Sequence, residues 1–318
     1  MKKYSAVAIG LIMVMLFTGC TNGFGFNEKS VFENASEDLK EKVEYKEDLG
    51  RFDNLVLEVD LTVSGVKISA SDGDELIYRQ IANRKDLLAD MKISEKGKTI
   101  TLSFENKPDK KINVGTQNSQ TEILIPKNLL TDLEVDLNVG DLSIKSNQLD
   151  FEKIISKLDV GAMDITITGD QTQLSEIKLS GNVGDLKLEM SGDFPKLHTL
   201  QTLTDVGSNS VTLNGDYGEK LSIKGESHVG ELTYELIGNF DQKVDAVLTS
   251  NTGELNLKLP KTSPVELTAE TNKFTSKVDI NFDDYTIKND AYLFNTSGKG
   301  GTLSIKASVN IGDLNVKR

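Results

Sequence analysis

The stretch Asn182-Val183-Gly184-Asp185-Leu186-Lys187-Leu188-Glu189 decides the fold, because its pattern returns in steps of 23. A glycine behind a β-branched residue and ahead of an apolar alternation stands at Gly161, Gly184, Gly207, Gly230 and Gly253. Gly140 leads the series by 21, the next step lands on Ser276 before Val278, Ile280 and Phe282, and Gly312 closes it after a longer gap. A fixed period of this length describes a stack of similar units rather than a globule around one pocket.

Within each unit, the second and fourth positions after the glycine are apolar, as in Leu142 and Ile144, Met163 and Ile165, or Leu255 and Leu257; Asn209 is the exception. The positions between are polar or charged, such as Asp185, Lys187 and Glu189. Period two puts one face of a strand inside and the other in water. A second apolar set follows about 14 and 16 residues after the glycine, so each unit holds at least two strands, joined by turns such as Ser191-Gly192-Asp193 or Asn214-Gly215-Asp216. Hairpins in an antiparallel meander have no need for the same residue in every other strand. The constant period therefore favours an all-β, single-stranded β-solenoid (β-helix) with ~23-residue coils stacked in parallel about 4.8 Å apart. From Gly140 to Gly312, eight or nine such coils would span roughly 35–40 Å.

Short β-rich runs between Phe52 and Ile125 break the period, although Gly65 resembles the repeat glycines. Residues 51–130 thus read as irregular first rungs that cap the N-terminal end, and 131–318 as the regular repeat.

Two residues before the glycine stand Asn138, Asp159, Asn182, Asp205, His228, Asn251 and Asn310. In a parallel stack such a position forms a column in which each side chain bonds the next coil, a structural ladder that fixes register. The competing reading, a metal held by His228 between Asp205 and Asn251, needs convergent strong ligands. Just after the glycine come Asp141, Asp185, Glu231, Glu254 and Asp313. These read as a solvated edge that discourages sheet-to-sheet pairing. A Ca²⁺ row is the alternative, interrupted by Ala162 and Ser208. No pair stands out as a glycosidase acid and base, His198 sits alone, and Gly298 to Thr302 lacks the spacing of a phosphate loop. The reading assigns no catalytic residue, no metal and no cofactor, and the chain is expected not to be an enzyme.

At the N-terminus, Met1-Lys2-Lys3 precedes an apolar stretch from Ala6 to Phe17 and then Leu16-Phe17-Thr18-Gly19-Cys20. The stretch is too short to span a bilayer but suits an export signal. The ending resembles the lipobox of bacterial lipoproteins, with Phe17 where an aliphatic residue is usual. The resemblance implies cleavage after residue 19 and lipidation of Cys20, the only cysteine, with palmitate-type acyl chains. Two acyl chains hold a protein at a membrane where one does so only marginally. The domains then read as a signal peptide at 1–19, a lipidated Cys and flexible acidic tether at 20–50, and the solenoid at 51–318. The location is the extracytoplasmic face of the bacterial cell membrane.

The net charge is −13, and loss of Lys2 and Lys3 with the signal takes it to −15. Such a chain is a poor match for nucleic acid. There is no tryptophan and aromatic residues are 6% of the chain, which weighs against a sugar-stacking platform. The Val-Gly-Asp-Leu pattern, the strand ends Ile125-Pro126-Lys127 and Leu259-Pro260-Lys261, and the closing Gly301-Thr302-Leu303-Ser304-Ile305 are similar to the bacterial putative-adhesin family. Its members are β-solenoid domains of unknown function related to the toast-rack domains of envelope-stress operons. The resemblance implies a non-catalytic interaction or scaffold module of the cell envelope, with envelope proteins or a cell-wall polymer as partner. A polysaccharide-binding or -cleaving β-helix protein and a calcium-stabilised adhesin are the alternatives.

Overall fold

A computed structural model of the chain describes residues 38–108, 118–146, 148–218, 220–240, 242–261, 263–272, 276–282, 285–288, 291–296 and 303–318. Among these residues the only helical element is the 3-10 turn Lys85–Leu87; the rest is strand and connection.

The 23-residue period is the register of a parallel stack. Ile154 pairs with Ile177, Ile177 with Leu200 and Leu200 with Ile223 on one face. On the other, Leu186 pairs with Asn209, Asn209 with Leu232 and Leu232 with Leu255. The two faces belong to successive strands of one coil, with inward residues in a single continuous core from Leu49 to Val316. Burying each such Leu or Ile contributes about 1.5–3 kcal/mol, and alternation places these side chains inward in every coil.

The glycine between the two strands is required by the preceding coil. Gly140, Gly161, Gly184, Gly207, Gly230, Gly253 and Gly312 have φ between 129° and 144°. A Cβ on Gly184 would lie 1.7 Å from the Gly161 carbonyl oxygen, and one on Gly312 1.8 Å from that of Gly253. Only glycine tolerates both this backbone and this approach.

The rungs are not in sequence order at either end. From one end to the other, they are Thr99–Glu105 with Ser119–Pro126; Asn54–Val63 with Gly65–Ser71; and Leu130–Val139 with Leu142–Lys145. Asp150–Val160 with Met163–Thr168, Glu176–Val183 with Leu186–Phe194, and Thr199–Val206 with Asn209–Tyr217 come next. The last four are Leu221–Leu236, Val244–Lys258, Leu303–Lys317, and Val265–Thr271 with Ser276–Ile280. Ten rungs about 4.8 Å apart give the described stack a length of about 43 Å.

Antiparallel strands cover both ends of this stack. Asp90–Lys96 pairs with Thr99–Glu105, Glu75–Ala82 with Ser119–Pro126, and Ala291–Asn295 with Val265–Thr271. Covering the ends shields edges that would otherwise template aggregation.

Several expectations are corrected. Residues 41–48, read as the end of the tether, form the strand Glu41–Asp48, antiparallel to Glu75–Ala82. Buried Leu39 and Leu49 flank that strand. Arg79 locks it: Nε donates to Glu44 Oε1 (3.0 Å) and Nη1 to Glu122 Oε2 (3.2 Å), and this guanidinium holds the Glu44 carboxyl below its ordinary range. Gly65 is one residue out of phase; Ser64 lies under Gly140, since Val63 pairs with Val139. Seven glycine corners, not eight or nine coils, run from Gly140 to Gly312. Ser276 does not lie on Gly253: Gly312 does, and Ser276 pairs with Gly312. The C-terminal strand is inserted between two rungs that follow each other in sequence.

Gly192 and Gly215, read as turns joining the two strands of a unit, are likewise not turns. They lie inside strands and pair with each other, in a second glycine column whose Cβ positions are closed by the Gly169 and Gly192 carbonyl oxygens at 2.2 and 2.0 Å. Just beyond, Phe194, Tyr217 and Phe240 stack in the core at 23-residue steps, ring centroids 5.4 and 5.0 Å apart. Burial pushes the Tyr217 hydroxyl's pKa far up, and that hydroxyl has no hydrogen-bond partner among the described residues. Tyr234, also buried, shares a 2.6 Å hydrogen bond between its hydroxyl and Thr202 Oγ1. The two tyrosines should therefore respond in opposite directions. Tyr217→Phe is expected to raise stability by about 1 kcal/mol and Tyr234→Phe to lower it by about 1 kcal/mol or more. Urea midpoints of the two variants measure this.

Candidate functional site

The seven corners from Gly140 to Gly312 form one continuous edge, because their residues pair in register: Val139 with Val160, Val160 with Val183, Val183 with Val206, and Val206 with Val229. Val229 continues to Thr252 and Thr252 to Ile311. At the bend the alternation breaks, so the residue before the glycine and the one before that both face outward. Val160, Val229 and Ile311 are 37%, 48% and 51% exposed, three of the seven large apolar side chains exposed among the described residues.

The column beside the valines brings neighbours together in pairs. Asn182 Nδ2 donates to Asp159 Oδ1 (2.8 Å), and Asn310 Nδ2 donates to Asn251 Oδ1 (2.9 Å). The His228 ring is hydrogen-bonded through Nδ1 to Asp205 Oδ1 (2.8 Å) and through Nε2 to Glu226 Oε1 (3.0 Å). Lys224 and then His228 hold the Glu226 carboxyl below its ordinary range. Asn138 stands exposed at the start of the column. The residues are part-exposed, and these pairs carry little energy each. Among the described residues no group of three His, Cys, Asp or Glu side chains is placed to hold a metal ion. Cys20 and the segment 298–302 lie outside the described residues. His198 is exposed and its Nδ1 lies 2.9 Å from Thr199 Oγ1.

On the other side of the glycines, the acidic residues are held by the next coil. Asp141 Oδ1 accepts from the Ala162 backbone N–H (2.9 Å), and Asp185 Oδ1 accepts from the Ser208 N–H (3.0 Å) and hydroxyl (2.7 Å). The small residues Ala162 and Ser208 that interrupt the acidic row are thus where the preceding aspartate leans over. Glu231 Oε1 accepts from Asn256 Nδ2 and Thr233 Oγ1, each at 2.7 Å. No Lys or Arg occupies any corner, from two residues before each glycine to one after it.

An open groove of about 810 Å³ lies near the opposite corner of the early rungs, lined in part by Lys67, Lys127, Lys145, Asp72, Asp150 and Asp170. Its charges answer one another: Lys127 Nζ lies 2.7 Å from Asp72 Oδ1. Burial pushes the Asp150 carboxyl up.

The aromatic stack and the second glycine column went unread in the sequence, although Phe194, Tyr217 and Phe240 carry the same 23-residue step as the corners. Neighbouring turn residues concealed them.

Residues 32–189 match a family model described as the N-terminal domain of toast_rack, DUF2154. No curated protein matches the chain. Solved structures with weak similarity include a putative cell adhesion protein from Clostridium sporogenes, at 14% identity over 87% of this chain and 98% of that one, TM-score 0.36. A putative adhesin from Bacteroides fragilis is 13% identical over 87% and 97%, TM-score 0.33. Another from Parabacteroides merdae is 13% identical over 87% and 96%, TM-score 0.30.

Proposed function

Because the chain belongs to the toast-rack-related putative-adhesin family through the N-terminal domain at residues 32–189, we propose that it is a non-catalytic interaction module of the bacterial cell envelope. It is displayed outside the cytoplasmic membrane on a lipid anchor at Cys20 and binds an envelope protein or a cell-wall polymer. The observation that carries this reading is the repeated corner. Seven coils present the same kinds of residue in register along one edge, a surface suited to extended contact and not to enclosing a small substrate. The column from Asn138 to Asn310 serves register in this reading, and its hydrogen-bonded pairs support that role. No helix among the described residues is long and apolar enough to cross a membrane, and the anchor supplies the attachment.

The anchoring is tested by fractionating cells that express the chain and its Cys20→Ala variant. The parent should carry acyl mass and remain in the membrane fraction after a salt wash, and the variant should lose both. Firm membrane retention of Cys20→Ala would refute the anchor. Reproducible turnover of peptidoglycan or teichoic acid by the purified protein would remove the non-catalytic reading.

A further inference from the structure

We propose that the valine edge is a docking rail for an extended, cationic segment of another polypeptide, with apolar residues interspersed among its Lys and Arg. The proposal rests on the interaction-module reading above and names the surface and the class of partner.

Two observations carry it. The first is apolar exposure where a strand alternation would have hidden it. Val160, Val229 and Ile311 face water on one line, and the register that joins them makes the line about 24 Å long at ~4.8 Å per rung. An exposed apolar row rimmed by polar residues marks an interaction surface.

The second observation is the charge beside that row, which selects the occupant. Asp141, Asp185 and Glu231 flank the valines, at corners that contain no Lys or Arg. Their carboxylates are already fixed by donors of the same or neighbouring coils, so little side-chain freedom remains to be lost when a cation arrives. Two copies of this edge placed face to face would set carboxylate against carboxylate, which opposes self-association through it. An anionic lipid surface or nucleic acid meets the same repulsion. A flexible cationic chain lying along the rod satisfies both features: its apolar side chains cover the valines while its ammonium or guanidinium groups reach Asp141, Asp185 and Glu231. These lie on the side away from Asp159 and Asp205, which Lys157 and His228 already neighbour.

The experiment uses the full chain with Cys20→Ala in every arm, so that failure of the anchor does not affect the result. The probe is a labelled (Lys-Val)6 peptide, with (Lys-Ser)6 and (Glu-Val)6 as controls and fluorescence anisotropy as the readout. (Lys-Val)6 is expected to bind at least about tenfold more tightly than (Lys-Ser)6, more weakly as salt rises, and (Glu-Val)6 not to bind. Val160→Ser, Val229→Ser and Ile311→Ser together should weaken (Lys-Val)6 at least about tenfold. Asp185→Asn with Glu231→Gln should weaken it and flatten its salt dependence. The substituted side chains are exposed, and an unchanged circular-dichroism melt confirms that the variants fold. Equal binding of the two lysine peptides, or binding unchanged in the apolar triple variant, overturns the proposal. So does dimerisation through the edge that the triple variant abolishes, or tighter binding to phosphatidylglycerol vesicles than to the peptide.

Discussion

Gly184→Ala is expected to destabilise the solenoid by about 4 kcal/mol or more. Two separate costs add at this residue. Its φ of 136° is a conformation that L side chains rarely adopt, worth about 1–3 kcal/mol. The new methyl would also stand 1.7 Å from the Gly161 carbonyl oxygen, a backbone atom that cannot rotate away, so two rungs must separate. Separation weakens the parallel ladder between the strands and loosens the inward leucines behind it. Gly181→Ala, three residues earlier in the same coil, is the control. A Cβ there meets nothing within 4 Å, so the change should be neutral or stabilising by about 0.5–1 kcal/mol. Urea unfolding followed by circular dichroism compares the two. Equal, small effects would mean that the coils do not approach at the glycines as described.

Deleting residues 303–318 is expected to have the second large effect, and a local one. This strand buries Leu303, Ile305, Ala307, Val309, Leu314 and Val316, on the order of 10 kcal/mol of apolar burial. It is bonded on both sides, to Val244–Lys258 and to Val265–Thr271 with Ser276–Ile280, so its loss opens a slot and not merely an end. In a one-dimensional stack, stability is a sum of neighbour terms. Hydrogen exchange should therefore show residues 244–296 losing protection while the rungs from 130 to 217 keep theirs. A cysteine pair at Thr252→Cys and Ile311→Cys, in a Cys20→Ala background, checks the order directly. These positions are register partners in adjacent strands and should oxidise to a disulfide. If the rungs followed sequence order, residues 252 and 311 would lie at least two rungs apart, about 10 Å, beyond disulfide reach. Failure of the pair to close, with the fold intact, would contradict the insertion.

Much of the stack was legible because a solenoid repeats its environment. Leu186, Leu232 and Leu255 occupy equivalent places, so the chain shows at intervals of 23 what the structure shows at intervals of one rung. The same logic covers Gly161 to Gly253, where each glycine is explained by the one beneath it. Asn209 broke the pattern in the sequence and does so in the fold: it is fully buried, with its Nδ2 donating to the Glu226 carbonyl. The strand Glu41–Asp48 was missed because its burial alternates only between half-buried and exposed. Its place depends on Arg79 and on a strand whose register partners lie 27 to 41 residues away, Asp48 with Glu75 and Glu41 with Ala82, and no local period records that. The outward turn of Val160, Val229 and Ile311 was equally invisible, since strict alternation gives no sign of where a bend interrupts it.

The sequence by itself determined the all-β class, the 23-residue register and the need for glycine at each corner. Those properties depend on contacts between like positions, and a repeating chain writes such contacts out plainly. Only the tertiary structure decided which rung lies beside which. Ala246, Ile305 and Leu267 all point inward at the same place, and the alternating pattern of Leu303–Lys317 fits between its neighbours or beyond them equally well. Apolar periodicity specifies the face a strand buries and not its order in the stack. That order shows only in the pairing: Leu303–Lys317 is bonded to Val244–Lys258 on one side and to Val265–Thr271 and Ser276–Ile280 on the other, and Ala291–Asn295 pairs with Val265–Thr271 beyond it.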